Sequence, residues 1–195
     1  IRTQLQHVPD ASFDVVFVDF PWRHDADTRE RMFRRMDETA WDEMRLERVL
    51  GEDAIIFSAV SDCLLDKMLR AAERMRQHGF TYKGTLQWDK GKECATTSRN
   101  WPRRQNEHIV YLTRGKWTRL LRRDHAELHA TIYAPTREPA RKPEQLFDLL
   151  HKLLRADVKK AELFARTTTR LDSVRRRNPQ VRHGARQAGG SRHTP

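Results

Sequence analysis

Short apolar runs rich in β-branched residues alternate with amphipathic segments along this chain. The first run, Phe13–Val18 (FDVVFV), is almost continuously apolar, which is typical of a strand buried on both faces. Similar runs follow at Ala54–Val60, Thr85–Trp88, His108–Leu112 and Ala161–Ala165. The pattern therefore predicts five strands.

Two of the intervening segments carry apolar residues at three- and four-residue spacing, which predicts amphipathic helices. The first has Ser61 as its N-cap and Gly79 as its stop, and the second begins at Pro143, where a missing N–H is harmless. Their apolar faces comprise Leu64, Leu65, Met68, Leu69, Ala72 and Met75 in one, and Leu146, Phe147, Leu149, Leu150, Leu153 and Leu154 in the other.

A less regular helix is predicted in Ala40–Leu50, with Trp41, Met44 and Val49 facing the sheet. Strands that alternate with helices predict an α/β fold, with a mostly parallel sheet and helices on both faces. The chain begins at Ile1 rather than at a methionine, which leaves open a truncation at the N-terminus.

The net charge of the chain indicates what kind of partner this fold binds. A length of 195 residues fits one compact domain, and 38 Lys and Arg against 27 Asp and Glu give a net charge of +11. A field of that sign attracts polyanions, so we expect nucleic acid as the partner. The alternative is that the basic excess lies on solvated helix faces and aids solubility.

Two segments differ from the scaffold pattern. Asp89–Gln105 is polar, basic and long for a connection, which is typical of a functional loop. We expect residues 1–172 to form the domain and residues 173–195 to be a basic, disordered tail. Basic side chains that are candidates for phosphate contacts are Lys90, Lys92, Arg99, Arg103, Arg104, Arg119, Arg122, Arg123 and Arg175–Arg177. Trp101, in the loop, either stacks on a base or anchors the loop to the core.

Cysteine and histidine spacing predicts no metal site. Cys63 and Cys94 are too few for a disulfide framework and lie in no metal-ligand spacing, which favours a reducing compartment. The sequence has neither a long apolar run nor a secretory signal, so we expect a cytoplasmic, nuclear or nucleoid protein that does not contact a membrane.

The residues after the first predicted strand carry the candidate chemistry. Ligands of open α/β sheets bind at the carboxyl ends of the strands, where Asp19-Phe20-Pro21-Trp22 lies. Pro21 favours an extended Phe20, whose carbonyl then joins Asp19 as an acceptor for an aromatic amine, while Trp22 offers a stacking face. The alternative is a strand that simply ends in a turn, with Trp22 in the core.

Five segments, in order, resemble the MT-A70 family of adenine-N6 methyltransferases: FDVVFVDFPW, HGFTYKGTLQWDKGK, NEHIVYLTRGK, APTREPARKPEQLFDLL and KKAELFAR. The resemblance implies a Rossmann-like class I fold and S-adenosylmethionine as cofactor. It also implies methyl transfer to the N6 amine of adenine in nucleic acid. We favour DNA over RNA because no RNA-binding module is visible. The resemblance leaves open a homodimer, or a heterodimer with a related methyltransferase-like subunit.

The resemblance also assigns roles to individual residues. Asp19, Phe20, Pro21 and Trp22 stand at the family's Asp-Pro-Pro-Trp catalytic motif. The resemblance further places at the cofactor Ile1, Asp19, Lys142, Glu162 and Arg166. It places at the target base Trp22, Glu107 and Lys142, and we add Arg103 and Arg104 as phosphate contacts of the substrate.

Three departures from the family pattern keep other functions open. Phe20 replaces a proline, Pro139-Ala140 replaces His-Ser, and the segment after Arg166 lacks the expected glycine, tryptophan and asparagine. One alternative is therefore a non-catalytic methyltransferase-like subunit that binds nucleic acid in a complex. Another is a simple basic nucleic-acid-binding module.

Overall fold

The computed structural model describes residues 5–23, 36–91, 96–98, 101–137 and 141–164, with the backbone alone at 96–98 and 101–104. The helices in these ranges are α1 (Glu38–Glu43), α2 (Leu46–Val49), α3 (Leu65–Met75) and α4 (Glu144–Leu153). The strands are β1 (Phe13–Val18), β2 (Leu50–Ser61), β3 (Thr81–Asp89), β4 (Thr96–Ser98), β5 (Trp101–Arg104), β6 (Asn106–Arg114), β7 (Thr131–Tyr133) and β8 (Lys160–Leu163).

Six of the eight described strands form a mixed sheet in the order β7-β3-β6-β2-β1-β8, and β4 and β5 form a separate two-stranded sheet. Strand β1 pairs in parallel with β2 and β8, and β3 pairs in parallel with β7. Strand β6 runs antiparallel to both of its neighbours, β2 and β3. The expectation of a mostly parallel sheet therefore fails at the pairings of β6. The reason is that β4 and β5 return the chain to the edge where β3 ends, so β6 must run back.

Helices cover both faces of the sheet, as predicted. Val16 and Val18 of β1 pack in one core with Met68 of α3 and with the residues of α1 and α2. Val15 and Phe17 pack in the opposite core with α4, whose buried residues are Leu146, Phe147 and Leu150. Because successive side chains of a strand point to opposite faces, the fully apolar FDVVFV run needs both layers.

The five predicted strands are present, with bounds that differ by a few residues at their ends, and Ala165 lies outside the described residues. The predicted irregular helix forms as α1 and α2, with Trp41, Met44 and Val49 buried. Gly79 ends the α3 segment in the left-handed conformation at φ 82°. The predicted capping by Ser61 is wrong, because its hydroxyl contacts the Cys63 sulfur instead of a backbone N–H.

Three further expectations differ from the structure. Leu69, assigned to the apolar face of α3, is exposed. Asp89–Gln105, expected as a loop, contains the β4–β5 hairpin. Strand β7 was not predicted, because its three residues follow a polar segment and form a strand only by pairing with the end of β3. The proposed tail, 173–195, lies outside the described residues.

Gly115 fixes the turn that follows β6. Its φ is +63°, and a Cβ added there would lie 2.5 Å from both the Asp53 carboxylate and the Glu52 carbonyl. The Asp53 side chain also accepts a hydrogen bond of 2.6 Å from the N–H of Lys116. A side chain at Gly115 would therefore displace the start of β2 from the turn.

We expect Gly115→Ala to lower the free energy of unfolding more than Gly91→Ala does. Both glycines have a positive φ, but a Cβ at Gly91 meets nothing within 4 Å. Each variant loses roughly 1–2 kcal/mol to the left-handed backbone, and overpacking adds about 1–3 kcal/mol at Gly115 alone. Urea denaturation of the two variants measures the difference, and equal losses would contradict the role of Gly115.

Candidate active site

One edge of the sheet collects charged residues from three strands. Strands β1 and β3 end at this edge, and β6 begins there because it runs in the opposite direction. Asp19 follows β1, Lys90 follows β3 and Glu107 is the second residue of β6. Lys142 reaches the same edge from the segment that precedes α4. The antiparallel direction of β6 therefore brings Glu107 to the end of β1.

These side chains form a row of alternating charges, which we call the charge row: Asp19, Lys142, Glu107 and Lys90. The Lys142 ammonium lies 2.9 Å from Asp19 Oδ1 and 2.6 Å from Glu107 Oε1. The second oxygen of Glu107 lies 2.7 Å from the Lys90 ammonium. Both oxygens of Glu107 therefore accept from a lysine, and Lys142 links the two carboxylates.

The middle of the charge row is buried and its ends are partly open. The side chains of Lys142 and Glu107 are 8% and 10% exposed, whereas those of Asp19 and Lys90 are 19% and 23% exposed. Burial of a charge costs several kcal/mol unless opposite charges compensate for it. The alternation of signs supplies that compensation and leaves Asp19 accessible to a ligand.

The ionised forms are favoured despite burial. Loss of water raises the pKa of the Glu107 carboxyl, but the charges of Lys142 and Lys90 outweigh it and hold this pKa below its ordinary value of 4.5. Burial likewise lowers the pKa of Lys142, but Glu107 and Asp19 outweigh it and hold this pKa above 10.5. Glu107 and Lys142 therefore both carry charge at neutral pH.

A tight turn follows Asp19. The N–H of Trp22 donates to the Phe20 carbonyl at 2.9 Å, which closes a three-residue turn around Pro21. The N–H of Asp19 donates to Leu163 of β8 at 3.2 Å, so the start of the turn is tied to the neighbouring strand. The Phe20 carbonyl, predicted as an acceptor for an amine, thus accepts from Trp22 already and retains its second lone pair.

Trp22 does not present an open face, contrary to the sequence expectation. It is 4% exposed, and its ring stacks on Trp41 of α1 with centroids 5.5 Å apart at 14°. Phe20 lies against Trp22 at 4.5 Å and contacts Trp41 and Phe164 edge-on. These four rings form an aromatic cluster in the core, and a base cannot reach Trp22 unless the cluster opens. This conformation therefore supports the alternative in which Trp22 is a core residue.

The predicted cofactor residues are only partly described. Glu162 lies on β8 beside Phe17 of β1, at the edge where Asp19 follows. Ile1 and Arg166 lie outside the described residues, and so do the side chains of Arg103 and Arg104. The structure therefore brings together Asp19, Glu107 and Lys142 and places Glu162 on the adjacent strand.

Sequence reasoning missed two parts of the site. It assigned Lys90 to phosphate contacts, whereas the structure pairs it with Glu107 and places its ammonium 4.8 Å from the centre of the Trp88 ring. The spacing of Trp88 and Lys90, two residues apart on one strand face, was the available signal. It also left the partner of Trp22 unidentified, since nothing in the pattern links Trp41 to the strand end.

No helix among the described residues is long and apolar enough to cross a membrane. No group of three or more His, Cys, Asp or Glu side chains among them is arranged to hold a metal ion.

We expect Trp22→Ala to lower the free energy of unfolding by about 3–5 kcal/mol, because it removes a large side chain from a packed core. The control is Tyr133→Ala, which removes an aromatic side chain that is 75% exposed and should cost less than about 0.5 kcal/mol. Thermal or urea denaturation measures both. A loss of less than about 1 kcal/mol in Trp22→Ala would contradict the packing of the aromatic cluster.

Comparison with known proteins identifies the family of this chain. A model of the family described as MT-A70 matches residues 13–174. No curated protein matches the sequence significantly. The family match starts at β1 and spans the turn after Asp19 and the whole charge row, and the family is in general one of methyltransferases. Because the match covers most of the chain, this protein belongs to the MT-A70 family.

Proposed function

We propose that this protein transfers a methyl group from S-adenosylmethionine to the exocyclic N6 amine of adenine in nucleic acid, with DNA favoured over RNA. The observation that carries the proposal is the contact of Lys142 with both Asp19 and Glu107 at one strand edge. Membership of the MT-A70 family supports methyl transfer to adenine. The sheet, in which β1 pairs in parallel with β2 and β8 and in which β6 is reversed, supports a Rossmann-like variant of the α/β architecture.

The described residues suit the cofactor. When bound, S-adenosylmethionine supplies a methyl group already activated on a positively charged sulfur. Glu162, at the strand edge beside β1, is a carboxylate that can accept hydrogen bonds from ribose hydroxyls. Lys142 and Asp19 lie at the same edge, where ligands of open α/β sheets bind. Arg166 and Ile1 complete the proposed cofactor set.

Asp19 has the central role in this proposal. The lone pair of an adenine amine is delocalised into the ring, so the nitrogen is a poor nucleophile. Hydrogen bonds from the amine to the Asp19 carboxylate and the Phe20 carbonyl would hold both N–H groups and favour a localised lone pair. The same carboxylate stabilises the positive charge that develops on the nitrogen. The carboxylate need not reorient during the reaction, because Lys142 fixes its position.

Glu107 and Lys142 limit what can occupy the space next to Asp19. Lys142 provides N–H donors and Glu107 provides acceptors, so their buried pair can contact the edge of a purine ring. Because Trp22 is covered by Trp41, we propose that polar contacts with this pair, rather than stacking on Trp22, select the base. A duplex substrate would have to flip the adenine to bring it to this edge.

The nucleic acid itself is proposed from charge. The net charge of +11 supplies phosphate contacts that give affinity without sequence choice. Arg103 and Arg104 are the last residues of β5 in the β4–β5 hairpin, which lies between β3 and β6 in the chain, and both of those strands meet the edge that carries the charge row. We propose that this hairpin contacts the phosphate backbone.

We expect Asp19→Asn to reduce methyl transfer about 100- to 1000-fold, because the amine loses a charged acceptor that is aligned with the transition state. The measurement is mass-spectrometric detection of N6-methyladenine in DNA and RNA oligonucleotides incubated with S-adenosylmethionine. Asp66→Asn is the matched control, since Asp66 is an exposed carboxylate of α3 that is paired with Arg70.

Two outcomes would contradict this proposal. Equal transfer by the wild-type protein and Asp19→Asn would remove Asp19 from the reaction. The second outcome is a wild-type protein that binds nucleic acid but transfers no methyl group to either oligonucleotide and gives no calorimetric heat with S-adenosylmethionine. That result would favour the alternative function, a non-catalytic subunit of a methyltransferase complex.

A further inference from the structure

Lys90 lies at the outer end of the charge row, in a position that does not suit a phosphate contact. It follows the last residue of β3, and its N–H donates to the Gln105 carbonyl at 2.9 Å. Its ammonium lies 2.7 Å from Glu107 Oε2 and 4.8 Å from the centre of the Trp88 ring. Trp88 is itself fixed, because it is buried and its Nε1 donates to the Ala134 carbonyl at 2.8 Å. The lysine is therefore held by a carboxylate and an aromatic face.

The electrostatic balance of the charge row depends on Lys90. With Lys90, two carboxylates alternate with two ammonium groups, and the sum of the charges is zero. Without it, Lys142 is the one cation that the described residues place against Glu107, and this lysine must then compensate both carboxylates. An uncompensated negative charge at a site where Glu107 is 10% exposed is costly, and it draws Lys142 away from Asp19.

We propose that Lys90 is a positioning residue for Asp19, acting through Glu107 and Lys142, and that it is not a phosphate-binding residue. The inference rests on the proposed function, because Asp19 is the acceptor of the amine. By holding the second oxygen of Glu107, Lys90 leaves Lys142 in contact with Asp19. Lys90 thereby sets the orientation of the Asp19 carboxylate, to which it is connected through three successive ion pairs.

The titration of Glu107 provides a signature of this role. The charged groups that the structure places against its carboxylate are Lys142 from the α4 side and Lys90 from β3, and Asp19 lies beyond Lys142. Burial raises the pKa of Glu107, and the two lysines together hold it below 4.5. Since a lowered pKa is lost when its cations are removed, Glu107 should titrate at higher pH once Lys90 is neutral.

The test compares Lys90→Gln with Lys90→Arg and with the control Lys83→Gln, which changes an exposed lysine within β3, the strand that Lys90 follows. We expect Lys90→Gln to lower kcat roughly 10- to 100-fold with little change in KM for an adenine-containing DNA oligonucleotide, as for a misplaced reacting group. The acid limb of the kcat profile should move to higher pH. Lys90→Arg should restore most of kcat, and Lys83→Gln should match the wild type.

A second readout does not depend on activity. Side-chain ¹³C NMR of the protein labelled at glutamate, without cofactor, should show Glu107 titrating at higher pH in Lys90→Gln than in the wild type. A double-mutant cycle with Glu107→Gln provides an independent check, since Lys90→Gln should have little effect on kcat once Glu107 is neutral. The double variant carries a neutral pair, so it also tests the inference if Lys90→Gln alone does not fold.

The outcomes separate this inference from the proposed function. If the wild type transfers no methyl group, the proposed function fails first. If the wild type is active and Lys90→Gln only weakens DNA binding, with a salt slope smaller by about 1 and an unmoved acid limb, Lys90 is a phosphate contact and the inference is wrong. The inference would also be overturned if Lys90→Gln lowered kcat as much in the Glu107→Gln background as it does in the wild type.

Discussion

The site of this protein depends on one constraint: a buried carboxylate, Glu107, and a partly exposed one, Asp19, meet at one strand edge, and cations must compensate for their lost hydration. Lys142 meets that requirement by contacting Asp19 and Glu107 together, at 2.9 and 2.6 Å. Because the desolvation of each ion costs several kcal/mol, the row is stable as a set and unstable when one member is missing. The proposed function rests on the same balance, since a carboxylate that is fixed in place can hold and polarise an amine.

The fold serves this row through strand direction. Parallel strands bring their carboxyl ends to one edge, and a single reversed strand brings its first residues to that edge as well. Strand β6 therefore contributes Glu107 from its start, while β1 contributes Asp19 from just beyond its end. The two cores on opposite faces of the sheet hold these strands in register.

The aromatic cluster changes how the strand-end motif is understood. Phe20, which stands where the family has a proline, inserts its ring between Trp22, Trp41 and Phe164. Backbone restriction by a proline is thus replaced by packing, and the turn around Pro21 is closed by a hydrogen bond. Phe164 completes the cluster in a left-handed backbone conformation, with φ at 65°. Residues other than glycine rarely adopt this strained conformation, and those that do are concentrated at functional sites.

The sequence by itself determined five of the eight described strands, the helices and the two-sided burial, because hydrophobic periodicity is a local property that a strand or helix keeps wherever it packs. It also nominated Asp19, Glu107 and Lys142, through resemblance to a family. Only the tertiary structure decided that these three touch, that Trp22 is covered by Trp41 and that Lys90 pairs with Glu107. Those contacts join residues far apart in the chain, and they depend on the direction of β6 and the position of α1, which no local pattern specifies.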